Sequence, residues 1–241
     1  MNLNRMFILG ALAFLAGCAT SDQVKALEEK VASLEEKIEE VEKKGAKAGP
    51  ADDKAEKAAA ALYETIGKAV RDGKIDDAKK TLNELKKKYS NTTAYRRARK
   101  IERELEVIGK DAPAEFAVEK WYTTESKIDL ASDTPTLLVF WEIWCPHCRR
   151  EVPKMQETWT KYQGKMQMVG LTKITRSATE EKVTEFLAEN KVTYPTAKEN
   201  GDLSKHFNVS GIPAAAVVKG GKIIWRGHPG RLNDEMINGW L

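Results

Sequence analysis

Two of the three cysteines in this 241-residue chain are separated by only two residues. Cys145 and Cys148 follow an apolar, strand-like run and precede an amphipathic stretch, which places Cys145 at the start of a predicted helix. There its sulfur meets unpaired backbone N–H groups and the positive end of the helix dipole, and both stabilise a thiolate, the species that attacks disulfides. Cys148 is near enough to close a ring and release a mixed disulfide. The spacing predicts thiol-disulfide exchange, with Cys145 attacking, Cys148 resolving, and a redox-active Cys145–Cys148 disulfide.

The two residues between the cysteines also suit this chemistry. Pro146 fits the first turn of a helix, where its missing N–H has no helical partner to lose. His147 can place positive charge close to the sulfur of Cys145. Such a charge stabilises the reduced form and makes the disulfide more oxidising.

A pair of cysteines at this spacing also occurs in metal sites. A structural zinc site needs two further ligands, no second pair of this kind exists, and the chain has only three histidines, His147, His206 and His228. Copper capture by two thiolates and a histidine is a second possibility. A purely structural disulfide is disfavoured because the loop it would close is short. The main interpretation includes no metal and no cofactor.

The elements around the cysteines alternate between strand and helix. Residues 136–141 form a continuous apolar run typical of a buried central strand. A second strand is predicted over 166–171 and a helix over 179–189. Gly220-Gly221 separates two short strand-like segments and suits a type I′ hairpin turn. This layout predicts a central sheet covered on both faces.

Several motifs in order resemble the thioredoxin superfamily and, within it, the TlpA-like extracytoplasmic branch. They are Phe140-Trp141 followed by Trp144-Cys145, then Glu151-Val152-Pro153, Thr193-Tyr194-Pro195, Asp202 to Phe207, and Gly211-Ile212-Pro213. The resemblance covers about Pro113 to Leu241. It implies an α/β thioredoxin fold with a central mixed sheet over 112–241, exchanging disulfides with protein substrates.

The resemblance also implies roles for residues near the cysteines. It places Trp144 directly before the attacking thiol, and it makes Pro213 a cis proline lying beside the cysteines. Val139 stands where thioredoxin has a buried aspartate, so proton handling falls to Glu151 or to water. The Pro-His dipeptide resembles that of the oxidant DsbA, whereas TlpA-like proteins are usually reductants. The direction of electron flow is therefore left open.

The N-terminus has the pattern of an export signal. Residues 1–17 combine Arg5 with an apolar run of 11 residues, Met6 to Ala16, which is too short to cross a bilayer. Leu15-Ala16-Gly17-Cys18 resembles the bacterial lipobox, which implies a lipid on Cys18. We expect an extracytoplasmic, lipid-anchored protein facing the periplasm, with a redox partner in or at the membrane. The alternative is an ordinary signal peptide followed by an incidental cysteine.

A heptad pattern follows the anchor. Its a and d positions are Val24, Leu27, Val31, Leu34, Ile38 and Val41. Glutamates at e and lysines at g favour two parallel chains, so residues 18–44 predict a lipidated N-terminus and a coiled coil that forms a possible parallel homodimer through 24–44. The alternative is a monomeric spacer helix. Residues 45–54 form a linker.

Residues 55–110 predict a small all-helical segment between the coiled coil and the thioredoxin fold. Three amphipathic stretches are expected, with the second capped by Asp76 or Asp77 and the third ending at Gly109. A faint likeness to a tetratricopeptide unit is weak, because such repeats need about three copies to be stable. A bundle that spaces or docks the next domain is the simpler interpretation.

The overall charge excludes some classes of function. The chain has 40 basic and 36 acidic residues, for a net charge of +4, which is too balanced for a nucleic-acid-binding protein. It contains no Gly-rich phosphate loop.

Taken together, the cysteine pair, the family motifs and the N-terminal pattern predict a membrane-anchored thiol-disulfide oxidoreductase. The alternative from another class is a non-enzymatic lipoprotein that binds copper or a protein partner.

Overall fold

A six-stranded mixed sheet organises the C-terminal half of the protein in this computed structural model. The strands are β1 (Lys120–Trp121), β2 (Thr136–Trp141), β3 (Gln167–Thr172), β4 (Thr196–Lys198), β5 (Ala214–Lys219) and β6 (Lys222–Gly227). Their order across the sheet is β1-β4-β3-β2-β5-β6. β2 pairs in parallel with β3 and antiparallel with β5, so the predicted mixed sheet is confirmed.

Seven α-helices and one 3-10 turn accompany this sheet within the described residues from 51 onward. They are α1 (Asp53–Arg71), α2 (Ile75–Tyr89), α3 (Thr93–Leu105), α4 (Pro146–Tyr162), α5 (Glu180–Glu189), α6 (Asp202–His206), a 3-10 turn (Pro229–Arg231) and α7 (Asp234–Trp240). α4 starts immediately after the loop that leaves β2. The strand therefore delivers the two cysteines to the beginning of α4.

Alternating side chains of β2 supply both faces of the sheet. All six residues of this strand are buried. Leu137, Val139 and Trp141 join a core with side chains of α4, α5 and α7. Leu138 and Phe140 join a second core that includes Leu203 of α6 and Phe207, which directly follows that helix. Side chains that alternate between the faces of a strand explain this division. Helices cover both faces, as predicted.

The three helices that precede the sheet pack around their own core. Fully buried alanines, one in each of α1, α2 and α3, let the helix backbones approach closely, and these are Ala59, Ala78 and Ala98. Gly73, with φ of 69°, makes the tight turn between α1 and α2. The expected cap of α2 is wrong: the helix begins at Ile75 after an uncapped Lys74, and Asp76 and Asp77 lie inside its first turn.

The helical segment is attached to β6 by backbone hydrogen bonds. Gly109 N donates to Ile223 O at 2.8 Å, and Ile223 N donates to Lys110 O at 3.0 Å. Glu104 of α3, whose side chain is almost fully buried, accepts a hydrogen bond from Arg231 at 2.8 Å. Residues 53–241 form one compact unit as a result. The segment is docked on the sheet rather than held apart from it.

The structure describes residues 29–31, 33 and 51–241. The signal peptide, the lipidation site Cys18 and most of the heptad segment 24–44 lie outside the described residues. Residues 29–31 and 33 are helical. No helix within the described residues is both long and apolar enough to cross a membrane.

Candidate active site

The two cysteines lie at the boundary between the loop after β2 and helix α4. Cys145 is the N-cap of α4, with extended backbone angles, and its Sγ accepts a hydrogen bond from the backbone N–H of Cys148 at 3.3 Å. Pro146 occupies the first turn, as expected from its missing N–H. The backbone N–H of Cys145 donates to Glu142 O at 3.1 Å, which fixes the loop that leaves the strand. The sulfur of Cys145 therefore takes the place of a capping side chain.

The two thiols have different surroundings. Both are free thiols here, the dithiol half of the expected redox couple. Cys145 keeps 4% of its surface exposed, whereas Cys148 is fully buried. Burial raises the pKa of the Cys148 thiol well above its ordinary value, and its interaction with Cys145 raises that pKa further. At neutral pH the thiol of Cys148 therefore stays protonated. Cys145 is then the sulfur that can react first with a substrate.

The proline loop lies against the attacking sulfur. The Ile212–Pro213 peptide bond is cis. The thiol of Cys145 points at the carbonyl oxygen of Ile212, 3.8 Å away. β5 begins at Ala214, which pairs with Phe140 at the end of β2, and this pairing brings the proline loop to the cysteines. Residues more than sixty positions apart in the chain are joined at one site.

A buried carboxylate that the sequence analysis did not single out lies next to the cysteines. Glu142 is 7% exposed, and its Oε2 accepts hydrogen bonds from Trp144 Nε1 at 2.7 Å and from the hydroxyl of Thr175. Trp144 Nε1 also donates to Thr175 Oγ1 at 3.0 Å. The only signal in the sequence was an acidic residue between two tryptophans in an apolar run. Its partner Thr175 comes from the loop after β3.

Glu151 lies one turn into α4, and its carboxylate contacts Lys154 and the 3-10 turn. Its Oε1 accepts from Lys154 Nζ at 3.0 Å, and its Oε2 lies against Gly230 in the 3-10 turn. His228 is half-buried on the same side, and its Nδ1 accepts from Gly230 N at 3.0 Å. Burial lowers the pKa of His228, with the charge of Glu151 acting in the opposite direction. Within the described residues, no hydrogen bond joins Glu151 to either cysteine.

Known proteins are similar in sequence to the C-terminal half of the chain. Residues 108–226, just under half of the chain, match the model of the AhpC/TSA family. The C-terminal domain is thioredoxin-like. The curated relatives include the sporulation thiol-disulfide oxidoreductase A of Bacillus subtilis, which is 25% identical over 107 residues, covering 44% of this chain and 65% of that protein. The thiol-disulfide oxidoreductase ResA of Bacillus cereus is 27% identical over 136 residues, covering 56% of this chain and 76% of that protein.

A solved structure is also similar to part of this chain. The crystal structure of StoA from Bacillus subtilis is 26% identical, covers 53% of this chain and 98% of its own, and has a TM-score of 0.44. The relatives' names confirm the enzyme class predicted for the thioredoxin-like domain, a thiol-disulfide oxidoreductase. They are also consistent with the TlpA-like resemblance.

The mouth of the thioredoxin-like site is basic. His147, Arg149 and Arg150 are all exposed at the start of α4. Arg150 Nη2 donates to Nδ1 of His147 at 2.6 Å, so this ring nitrogen is an acceptor. The positive charge at the start of α4 is therefore that of Arg149 and Arg150. Within the described residues, no group of three or more His, Cys, Asp or Glu side chains could hold a metal ion.

Proposed function

We propose that this chain is a lipid-anchored, extracytoplasmic thiol-disulfide oxidoreductase that exchanges disulfides with polypeptide substrates through Cys145 and Cys148. The observation that carries the proposal is the unequal pair of thiols: one caps a helix and keeps some exposure, and the other is fully buried behind it. Such a pair lets one sulfur meet the substrate while the other is kept for the second step.

The reduced site would act in two exchange steps. The thiolate of Cys145 attacks a substrate disulfide, forming a Cys145–substrate bond and releasing one substrate thiolate. Cys148 then loses its proton and attacks Cys145 Sγ, which closes the Cys145–Cys148 disulfide and releases the second substrate thiolate. Two electrons pass from the dithiol to the substrate. The reverse sequence donates a disulfide to a substrate dithiol.

Glu151 and His228 support the proton transfer at a distance. Both lie at the 3-10 turn, and Glu151 is one turn along α4 from the cysteines. Since neither hydrogen-bonds a sulfur, we propose that a water molecule carries the proton between Cys148 and this pair. The low pKa of His228 keeps its ring neutral near pH 7, which lets it accept a proton.

Replacement of each cysteine tests the exchange reaction. Cys145→Ser abolishes the reduction of insulin and the recovery of scrambled ribonuclease, because the attacking sulfur is lost. Cys148→Ser still attacks but accumulates a mixed disulfide, which is measured by mass spectrometry after acid quenching. Ser210→Ala, outside the reacting atoms, serves as a matched control. Full activity of Cys145→Ser would overturn the proposal.

The reduction potential against glutathione decides the direction of electron flow. A value toward about −120 mV would make the protein a disulfide donor or isomerase, with His147 and the neighbouring arginines stabilising the reduced site. A value near or below roughly −250 mV would make it a reductant that keeps the thiols of a partner reduced. A His147→Ala variant with a lower potential assigns the oxidising contribution to the histidine.

The N-terminal features complete the proposal. A lipid on Cys18 would hold the protein at the membrane, and a parallel coiled coil over 24–44 would place two thioredoxin-like domains side by side. Cys18→Ala would then lose incorporation of labelled palmitate and leave the membrane fraction. A chain beginning at Ser21 would sediment as a dimer in analytical ultracentrifugation, and a monomer would remove the coiled-coil pairing.

A further inference from the structure

An arginine lies directly on the tryptophan that precedes the attacking cysteine. The guanidinium carbon of Arg176 is 3.5 Å from the ring centroid of Trp144. Arg176 belongs to the loop between β3 and α5, and its side chain is exposed. A guanidinium stacked on the face of an indole is stabilised by the electrons of the ring. This contact places a positive charge at the mouth of the site.

The tryptophan beneath Arg176 is held in a fixed orientation. Its Nε1 donates to Glu142 at 2.7 Å and to Thr175 at 3.0 Å, and Glu142 is itself buried. Lys173 approaches the second oxygen of Glu142 to 4.0 Å, so the carboxylate is already partnered on both sides. The indole is thus a rigid support, and the guanidinium on it is positioned before any partner arrives. Preorganisation of this kind reduces the cost of binding.

The backbone of Arg176 is in an unfavourable conformation. Its φ is 56°, in the left-handed region, where glycine is comfortable and a long side chain costs about 1 kcal/mol. Strain of this kind persists where the surrounding structure enforces it, and it concentrates at functional sites. In this backbone conformation the side chain of Arg176 lies over the ring of Trp144.

The guanidinium has no acidic partner among the described residues. Other basic side chains near this end of the sheet do have one: Lys198, for example, pairs with Glu119 and Glu180. A stacked guanidinium keeps the N–H groups along its edge available, and their fork matches a carboxylate. The exposed Arg149 and Arg150 add positive charge at the start of α4, the helix that begins at the cysteines. The chemistry here is complementary to an acidic group.

We propose that Arg176 is a specificity-determining residue that binds the carboxylate of an aspartate or glutamate next to the reacting cysteine of a polypeptide substrate. The inference rests on the proposed function, because it assumes that substrate disulfides meet Cys145. In the first exchange step the Cys145–substrate bond forms and the substrate disulfide breaks. The salt bridge to Arg176 holds the substrate sulfur in line during that step. The partner is therefore a polypeptide with acidic residues around its cysteine.

Peptides of matched sequence test this assignment. Two single-cysteine peptides, flanked either by aspartates or by lysines, are oxidised to homodisulfides and mixed with the reduced full chain at 0.15 M salt. The rate constant for release of the first peptide thiol is measured by quenched single-turnover chromatography. We expect the wild-type protein to prefer the acidic peptide, and Arg176→Gln to lower that preference about fivefold, the effect of one ion pair near the surface. Arg176→Lys keeps the charge but not the stacked fork, and it should recover only part of the preference.

Lys191→Gln is the matched control. Lys191 is also an exposed basic residue with a positive φ, 53°. It follows the C-terminal end of α5, whereas Arg176 precedes the start of that helix. The Lys191→Gln substitution removes the same charge from the protein as Arg176→Gln does, so any effect of net charge alone appears in both variants. An equal preference in Arg176→Gln and Lys191→Gln would overturn the proposal. A purely structural role for Arg176 would slow both peptides by the same factor and leave their ratio unchanged, which would also overturn it.

The outcome is separable from failure of the proposed function. A wild-type protein that reduces both peptides at equal rates has thiol-disulfide exchange but no recognition by Arg176. A wild-type protein that reduces neither peptide, or insulin, lacks the proposed activity altogether.

Discussion

The helical segment and the thioredoxin-like domain are stabilised by contacts of different range. α1, α2 and α3 pack mainly on one another, around small buried side chains that are close in sequence. The sheet instead joins strands from distant parts of the chain, with β2 paired to β3 on one side and to β5 on the other. All of the reacting groups lie on the second kind of framework. The comparison shows that the chemistry depends on long-range pairing, whereas the helices depend on local periodicity.

The largest expected effect comes from removing a core side chain in each region. Phe140 in β2 and Leu85 in α2 are both fully buried. Phe140→Ala lowers the free energy of unfolding by about 3–5 kcal/mol, and Leu85→Ala lowers it by about 2–5 kcal/mol, because each leaves a cavity. Denaturant titration followed by circular dichroism and by tryptophan fluorescence measures both. If the junction at β6 couples the regions, each variant shifts one common transition, and two separate transitions would show that the regions unfold independently.

The junction between the regions is the next target. Glu104 is buried, one of its oxygens bonds to Arg231, and the other has no hydrogen-bond partner among the described residues. Glu104→Gln removes the charge that pairs with Arg231 and lowers the free energy of unfolding by about 1–3 kcal/mol. Glu84→Gln breaks an exposed pair with Lys88 in α2 and should change it by less than about 0.5 kcal/mol. Equal effects of the two substitutions would contradict the role assigned to the junction.

Replacing one glycine by alanine in each region compares how well the two regions tolerate an added methyl group. In Gly170→Ala the new methyl would lie 2.9 Å from Thr196 Oγ1 and 3.0 Å from Tyr194, so the variant loses about 1–3 kcal/mol. In Gly67→Ala, within α1, the nearest atom is the flexible end of Arg71 at 3.5 Å, so the higher helix propensity of alanine gains about 0.5–1 kcal/mol. Thermal unfolding of both variants checks the opposite signs.

The smallest effect concerns the pH dependence of the reduced protein. The pKa of Cys148 is raised in the folded state, so its contribution to stability is complete below the ordinary thiol pKa of 9.0 and is lost as pH rises above it. The unfolded thiol ionises first, and stability falls by up to about 1.4 kcal/mol per pH unit in that range. Cys148→Ala removes this alkaline loss. Urea titrations of both proteins between pH 8 and 10 give the comparison, and parallel curves would contradict it.

Local patterns in the sequence predicted much of this fold. The complete burial of β2, the positive φ at both Gly220 and Gly221 in the hairpin, and the start of α4 at the cysteines all follow from neighbouring residues. The strands β1 and β4 were not predicted. They are two and three residues long, and their pairing depends on contacts between Lys120 and Lys198, 78 positions apart.

The candidate site shows the same division. The pair Cys145 and Cys148 could be predicted from their spacing together with the motifs around them, because two thiols two residues apart at a helix start need no other part of the chain to meet. Glu142 could not, since its partner Thr175 comes from a different loop. For Glu151 the sequence left open whether its carboxylate or water handles the proton, and its contacts with Lys154 and Gly230 depend on how α4 packs on the 3-10 turn.

The sequence by itself determined which atoms can react, because thiol chemistry and helix capping act over a few residues. Only the tertiary structure decided how those atoms are surrounded: the proline loop at Cys145, the burial of Cys148, and Arg176 on Trp144. Each of these contacts joins segments that the sheet brings together. The physical reason is that burial and charge depend on distance in space, which a chain acquires only when its strands pair.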